Sequence, residues 1–183
     1  MSDNPLASYK RFLRGETSAL EDLVRTYSDA LIRFAYCYLN DATLAEDIME
    51  ESFAVLLATR KLFNDEAHLR AYLYKVARNK SIDYLRRRGR ESSLSDIEEV
   101  LSQDNTEEAL IKKERNRKIY TCLQQLPDQY REVLCLSYFD GFSNEQICKV
   151  MKKSKKQVYN LLARSRAALK EYLLKEGITY EDI

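Results

Sequence analysis

Residues 143–174 read SNEQICKVMKKSKKQVYNLLARSRAALKEYLL, a stretch with two helix starts built alike. Ser143 stands three residues before Gln146, and Ser154 three before Gln157, the spacing at which a hydroxyl and an amide each satisfy a backbone N–H of a first helical turn. Ile147 and Val150 follow the first start, and Val158, Leu161, Leu162 and Leu169 the second, so each helix has one apolar face to bury. A helix of about eight residues, a short turn over 151–153 and a longer helix from Lys155 to about Leu174 make a helix-turn-helix. In that geometry the second helix enters the major groove by its N-terminal turns, and its capped end offers N–H groups and a positive dipole to a phosphate. Lys155, Lys156, Gln157, Tyr159, Asn160, Ala163 and Arg164 are then the candidates for DNA contact. Asn and Gln suit adenine edges, Arg suits guanine, and Lys suits phosphates. A plain helical hairpin with a solvated basic face is the competing reading. The paired caps and a surface without an acid from 149 to 170 favour DNA.

Outward from this stretch the whole chain reads as all-α. Only four glycines and two prolines occur in 183 residues, among many Leu, Ala, Glu, Lys and Arg. Apolar residues make up 45% and charged residues 32%, enough to bury cores and too apolar for wholesale disorder. Asn4 and Pro5 predict a helix start, Leu6, Tyr9, Phe12 and Leu13 its inner face, and Gly15 its end. A second helix is expected from about Thr17 to Leu39, with Leu20, Leu23, Val24, Tyr27, Leu31, Phe34 and Tyr38 recurring at helical spacing. A third begins near Ala42 and turns Leu44, Ile48, Val55 and Leu56 inward; a fourth runs from about Glu66 to Arg88 with Leu69, Leu73, Val76 and Ala77 inward. These four helices form a domain over residues 1–90. Residues 91–105, ESSLSDIEEVLSQDN, read as a flexible acidic linker with at most a short turn near 97–101. Periodicity resumes near Thr106 and runs to Leu126, Pro127-Asp128 breaks it, and Gln129 to Phe139 is expected as one further helix. The second domain thus spans 106–176, with 177–183 as a tail.

A net charge of +1 conceals an uneven distribution. Residues 70–90 hold eight basic residues and one acid, Asp83; 149–170 hold eight basic residues and none; 91–111 hold seven acids and no Lys or Arg. Two basic segments around an acidic connector suggest two contacts with a polyanion. Cys37, Cys122, Cys135 and Cys148 lack the paired spacing of a metal site and read as small buried thiols, so neither metal nor cofactor is expected. His68 is the single histidine, which removes most nucleophile and base arrangements and leaves no catalytic residue to name. No apolar run approaches the roughly 20 residues of a membrane span, and MSDNPLASYKRF has no signal-peptide pattern, so a cytoplasmic protein without membrane insertion is expected.

The residues LPDQYREVLCLSYFDGFSNEQICKVMKKSKKQVYNLLARSRAALK, 126–170, resemble region 4 of the extracytoplasmic-function group of sigma-70 factors. AEDIMEESF at 45–53 and LRAYLYKVARNKSIDYLRRRGR at 69–90 resemble that family's region 2. The resemblance implies a non-enzymatic initiation factor that binds core RNA polymerase, recognises and melts promoters, and starts transcription. It implies that Asp47, Glu50 and Glu51, with Phe53 beneath, dock on the clamp of the largest subunit. Region 4 would meet the flap of the second-largest subunit and the promoter minus-35 element. Tyr72, Lys75, Arg78, Asn79, Arg86 and Arg87 would hold the melted minus-10 strand by stacking and phosphate neutralisation, with Asp83 orienting neighbouring arginines. Asn64 and Asp65 lie in the loop that pockets an extruded base in the family. An anti-sigma factor is a further implied partner. The sequence departs from the family where Tyr72 replaces Trp, Lys156-Gln157 replaces Gly-Thr, and Cys148 replaces Ala.

Two rivals compete with this reading. A helix-turn-helix regulator that is no polymerase subunit accounts for residues 120–174 and leaves the first domain unexplained. An enzyme holding a metal on the acids of 46–51 lacks a glycine-rich phosphate loop or a convergent His.

Overall fold

The computed structural model describes residues 4–88, 119–175 and 177. The expected linker at 91–105, its turn near 97–101, the helix onset near Thr106 and the tail from 178 lie outside the described residues. Every regular element among the described residues is helical, as expected. Cα packing divides the chain into two compact units, the first holding the four N-terminal helices and the second most of the chain from residue 119 on.

In the first unit α1 (Pro5–Leu13), α2 (Ala19–Leu39), α3 (Ala42–Thr59) and α4 (Glu66–Arg88) surround one core. The Asn4 side chain accepts from the Leu6 amide at 2.9 Å, so α1 starts where Asn4-Pro5 predicts. Ala19, two residues later than expected, begins α2, because i→i−3 bonds from Ala19 to Glu16, Leu20 to Thr17 and Glu21 to Ser18 hold Thr17 and Ser18 in a tighter turn. Asn40 ends α2 in a left-handed conformation, and Asp41 accepts from the Leu44 amide at 3.0 Å to start α3. The central helix is α2, which touches α1, α3 and α4, while α3 also packs along α4. Leu23, Leu31, Phe34, Leu56, Leu69, Leu73 and Tyr74 are buried between them, with the Phe34 and Tyr74 rings 4.9 Å apart.

The second unit holds a helical segment over 119–124 (α5), α6 (Asp128–Leu134), α7 (Asn144–Met151) and α8 (Lys155–Lys175). Here one expectation is corrected: Gln129 to Phe139 is no uniform α-helix. Following Leu134 the chain widens into a π-helical turn, Cys135–Phe139, in which the Asp140 amide donates to the Cys135 carbonyl at 3.1 Å and the Phe142 amide to that of Leu136 at 2.9 Å. The wider turn buries Leu136, Asp140 and Phe142 together while Tyr138 and Phe139 face outward. Hydrophobic periodicity alone could not show this, since one inserted residue merely shifts the phase. Packing of α6 against α8 and burial of Leu134, Ile147, Val150, Val158 and Leu162 supply the core. Cys122 and Leu173 close a smaller cluster between α5 and the end of α8.

Cys37, Cys122 and Cys135 are buried and Cys148 is half-buried, all as thiols. No helix among the described residues is long and apolar enough to cross a membrane.

Candidate nucleic-acid interface

Both capping boxes of the helix-turn-helix form. The Ser143 amide donates to the Gln146 amide oxygen at 2.8 Å and the Gln146 amide to the Ser143 hydroxyl at 3.3 Å; Ser154 and Gln157 make the same two bonds at 2.8 and 3.3 Å. The intervening turn places Lys152 at φ 53°, and the Lys153 amide donates to the Cys148 carbonyl at 3.1 Å, which closes α7 with a Schellman bond. With its start fixed, α8 exposes Lys155, Lys156, Gln157, Tyr159, Asn160, Ala163 and Arg164, all seven candidates, while Val158, Leu162 and Ser165 point inward. Tyr159 is 69% exposed.

Two of those seven carry constraints that the sequence did not reveal. The Gln157 side-chain oxygen already accepts the Ser154 amide, so a base contact made with both ends of that amide would share the oxygen between the cap and the DNA. Lys155 donates to the Glu145 carboxylate of α7 at 2.6 Å, which raises its pKa and keeps it charged. Among the described residues it is the one candidate on this face that pairs with an acid.

On the first unit, Tyr72, Lys75, Asn79, Asp83 and Arg86 recur along the side of α4 turned from Leu73, Ala77 and Ser81. Tyr72, Lys75 and Arg78 are half-buried, whereas Asn79, Arg86 and Arg87 are exposed. Arg78 and Arg87 flank the stripe on opposite sides. Asp83 meets Arg86 at 3.3 Å, which among the described residues is the orienting contact to an arginine that the geometry supplies.

The loop before α4 is shaped by contacts of its own. Asp65 accepts from the His68 amide at 2.8 Å and meets the His68 ring nitrogen Nδ1 at 2.7 Å, so both carboxylate oxygens are engaged in capping α4. The His68 amide bond holds the Asp65 carboxyl below the usual carboxylate range. Asn64 is exposed. Burial, with the Glu66 carboxylate beside it, pushes the Tyr27 phenol well up, so it remains a donor toward Glu66 at 3.4 Å and ties the start of α4 to α2. Sequence reasoning missed Lys61 and Phe63. The Phe63 ring is buried 5.3 Å from Tyr72, and the Lys61 ammonium lies 5.2 Å from the Tyr72 ring centre. A lone aromatic in a short polar loop between helices was the available signal.

Asp47, Glu50 and Glu51 are exposed on α3 and Phe53 is buried below the same helix. Glu51 accepts from the Lys80 ammonium of α4 at 2.5 Å, a partner 29 residues away that no local pattern discloses. In the second unit, Arg131 is buried and donates to Gln124 at 3.0 Å and Asp128 at 2.8 Å, which locks the start of α6 to α5. No group of three or more His, Cys, Asp or Glu able to hold a metal occurs among the described residues.

Family models match both units. Residues 23–91 match sigma-70 region 2 and residues 116–169 match sigma-70 region 4. The chain is 28% identical over 163 residues to the ECF RNA polymerase sigma factor SigM of Bacillus subtilis, covering 88% of this chain and 99% of that one. It is 27% identical over 175 residues to the RNA polymerase sigma-H factor of Pseudomonas aeruginosa, covering 90% and 91%. Its fold is similar to that of the sigma factor RpoE of Bartonella quintana, solved in complex with the anti-sigma factor NepR, at a TM-score of 0.70, 21% identity, and coverage of 84% and 96%. With region 2 and region 4 matched in that order on the helices described, the chain belongs to the extracytoplasmic-function group of the sigma-70 family of RNA polymerase sigma factors.

Proposed function

We propose that this sigma factor divides promoter recognition between its two units. In the first, α4 holds the unpaired minus-10 strand, with Tyr72 for stacking and Lys75, Arg78, Asn79, Arg86 and Arg87 for phosphates and base edges. The preceding loop offers Asn64 to an extruded base, and Asp65 shapes that loop by capping α4. In the second, the first turns of α8 read the minus-35 duplex, with Asn160 and Arg164 on base edges and Lys155 and Lys156 on phosphates. Asp47 and Glu50 meet the clamp of the largest polymerase subunit, with Glu51 shared between that contact and Lys80. The second unit meets the flap of the second-largest subunit. An anti-sigma factor is a further candidate partner, as in the RpoE complex.

The observation that carries this reading is the pairing of a helix-turn-helix whose two helices are each capped and whose residues 149–170 hold no acid with a separate region-2 unit bearing a basic, aromatic helix face. A regulator acting without polymerase accounts for the first of these and leaves the second without a role. Reconstitution with core RNA polymerase tests it. A stable complex that transcribes from promoters only when this chain is present is the expected result. Absence of a stable complex would overturn the reading.

A further inference from the structure

The α3–α4 loop is held from below by a helix that lies outside the matched region-2 residues. Ring, cation and hydrogen-bond contacts meet there. The Tyr9 ring of α1, fully buried, sits 5.7 Å from Phe63 at 56°, and Phe63 in turn sits 5.3 Å from Tyr72 at 54°. The Lys61 ammonium lies 5.9 Å from the Phe63 ring centre and 5.2 Å from that of Tyr72, and the Thr59 hydroxyl meets the Tyr72 hydroxyl at 3.3 Å. Arg60, left-handed at φ 45°, sends its guanidinium to the Leu13 carbonyl at the end of α1, donating at 2.7 Å. That cation sits at the negative end of the α1 dipole.

The consequence falls on the residues between these fixed points. With Arg60 fastened, Phe63 buried and Asp65 spent on the cap of α4, Leu62 and Asn64 have nowhere to turn but outward, and Leu62 is 79% exposed. The Tyr9 hydroxyl has no hydrogen-bond partner among the described residues, so its ring is the part that works. A buried hydroxyl left unbonded is a cost, which Phe would remove.

We propose that α1 is a positioning element for this loop: Tyr9 sets Phe63, and Arg60 ties the loop to Leu13, so that Leu62 and Asn64 are presented to the unpaired promoter strand. This rests on the assignment of the loop and α4 to the minus-10 element. Tyr9 and Arg60 touch no DNA in this account.

The test uses the full chain as holoenzyme and follows promoter opening by the fluorescence of 2-aminopurine placed in the minus-10 element. Tyr9→Leu should slow opening by about ten- to a hundredfold, the scale expected when a supporting residue is lost and a site is misplaced by about 1 Å. Core affinity and minus-35 duplex binding should stay unchanged, and Tyr9→Phe should open at the wild-type rate. Arg60→Gly suits the left-handed backbone, removes the side chain whose guanidinium reaches Leu13, and should slow opening in the same direction. The loop-tip double change Leu62→Gly/Asn64→Gly should also slow opening, and Tyr9→Leu added to it should cost nothing more, because Tyr9 acts through that tip. Additive effects, normal opening in a folded Tyr9→Leu protein, or a Tyr9→Phe defect as large as that of Tyr9→Leu would overturn the proposal. Normal opening with the tip changed would instead sink the assignment of the loop to DNA.

Discussion

Helices α4 and α8 are of similar length and basic, yet they present their chemistry in opposite ways. On α8 the seven candidate residues are exposed, its start is fixed by neutral serine and glutamine side chains, and among the described residues Lys155 is the candidate that pairs with an acid, Glu145. On α4 the candidate stripe is partly sunk, its start is fixed by a carboxylate, and ring contacts and ion pairs to α3 and the loop engage its flanks. The difference fits the two tasks proposed. Reading a duplex from the major groove requires side chains that project from a rigid rod. Holding an unpaired strand requires a braced surface on which bases stack.

The comparison breaks most visibly at the exposed face. Changing Asn160 and Arg164 together to Ala should weaken binding of holoenzyme to minus-35 duplex about a hundredfold, from roughly 1–3 kcal/mol for each base contact, with core affinity unchanged. Fluorescence anisotropy against labelled promoter DNA reads this directly. Next in size is the neutral cap: Ser154→Ala should cost about 1 kcal/mol and lower the melting temperature by several degrees. Gln157→Ala should share that loss, which separates its capping role from any base contact.

Much of this was legible in advance, and the limits have physical causes. Asn4-Pro5 and the serines at 143 and 154 mark helix starts because the bonds they make are local, within three residues. The exposed face of α8 followed from the phase set by Val158 and Leu162. The π turn at Cys135–Phe139 did not, since a one-residue insertion preserves local composition. Nor did Lys80–Glu51 or Tyr9–Phe63, which join residues distant in sequence that only packing brings together. The polymerase and minus-10 roles of the first unit rested on family resemblance, for which the region-2 match now supplies the family.

The charged cap of α4 should behave differently from the neutral one of α8. Because the folded state holds the Asp65 carboxyl below its usual range, its contribution is present above the unfolded-state pKa and is lost as pH falls through the depressed folded value. Asp65→Asn should therefore destabilise the protein at neutral pH and leave its stability nearly unchanged once the wild-type carboxyl is protonated. Thermal melting from pH 7 downward shows this, whereas the Ser154→Ala penalty should not follow that titration. Smallest of all is the Lys80–Glu51 pair, an exposed contact whose double-mutant cycle should return about 0.2–1 kcal/mol of stability. A Glu51→Gln change that lowered core affinity far more than stability would assign Glu51 chiefly to polymerase.

The division of labour is tested most directly by footprinting one reconstituted complex twice, with DNase for minus-35 protection and permanganate for unpaired minus-10 thymines. Asn160→Ala/Arg164→Ala should remove minus-35 protection, while permanganate reactivity returns once holoenzyme concentration restores occupancy. Tyr72→Ala/Lys75→Ala should keep minus-35 protection and lose permanganate reactivity at any concentration. Parallel loss of both footprints in each variant would contradict it.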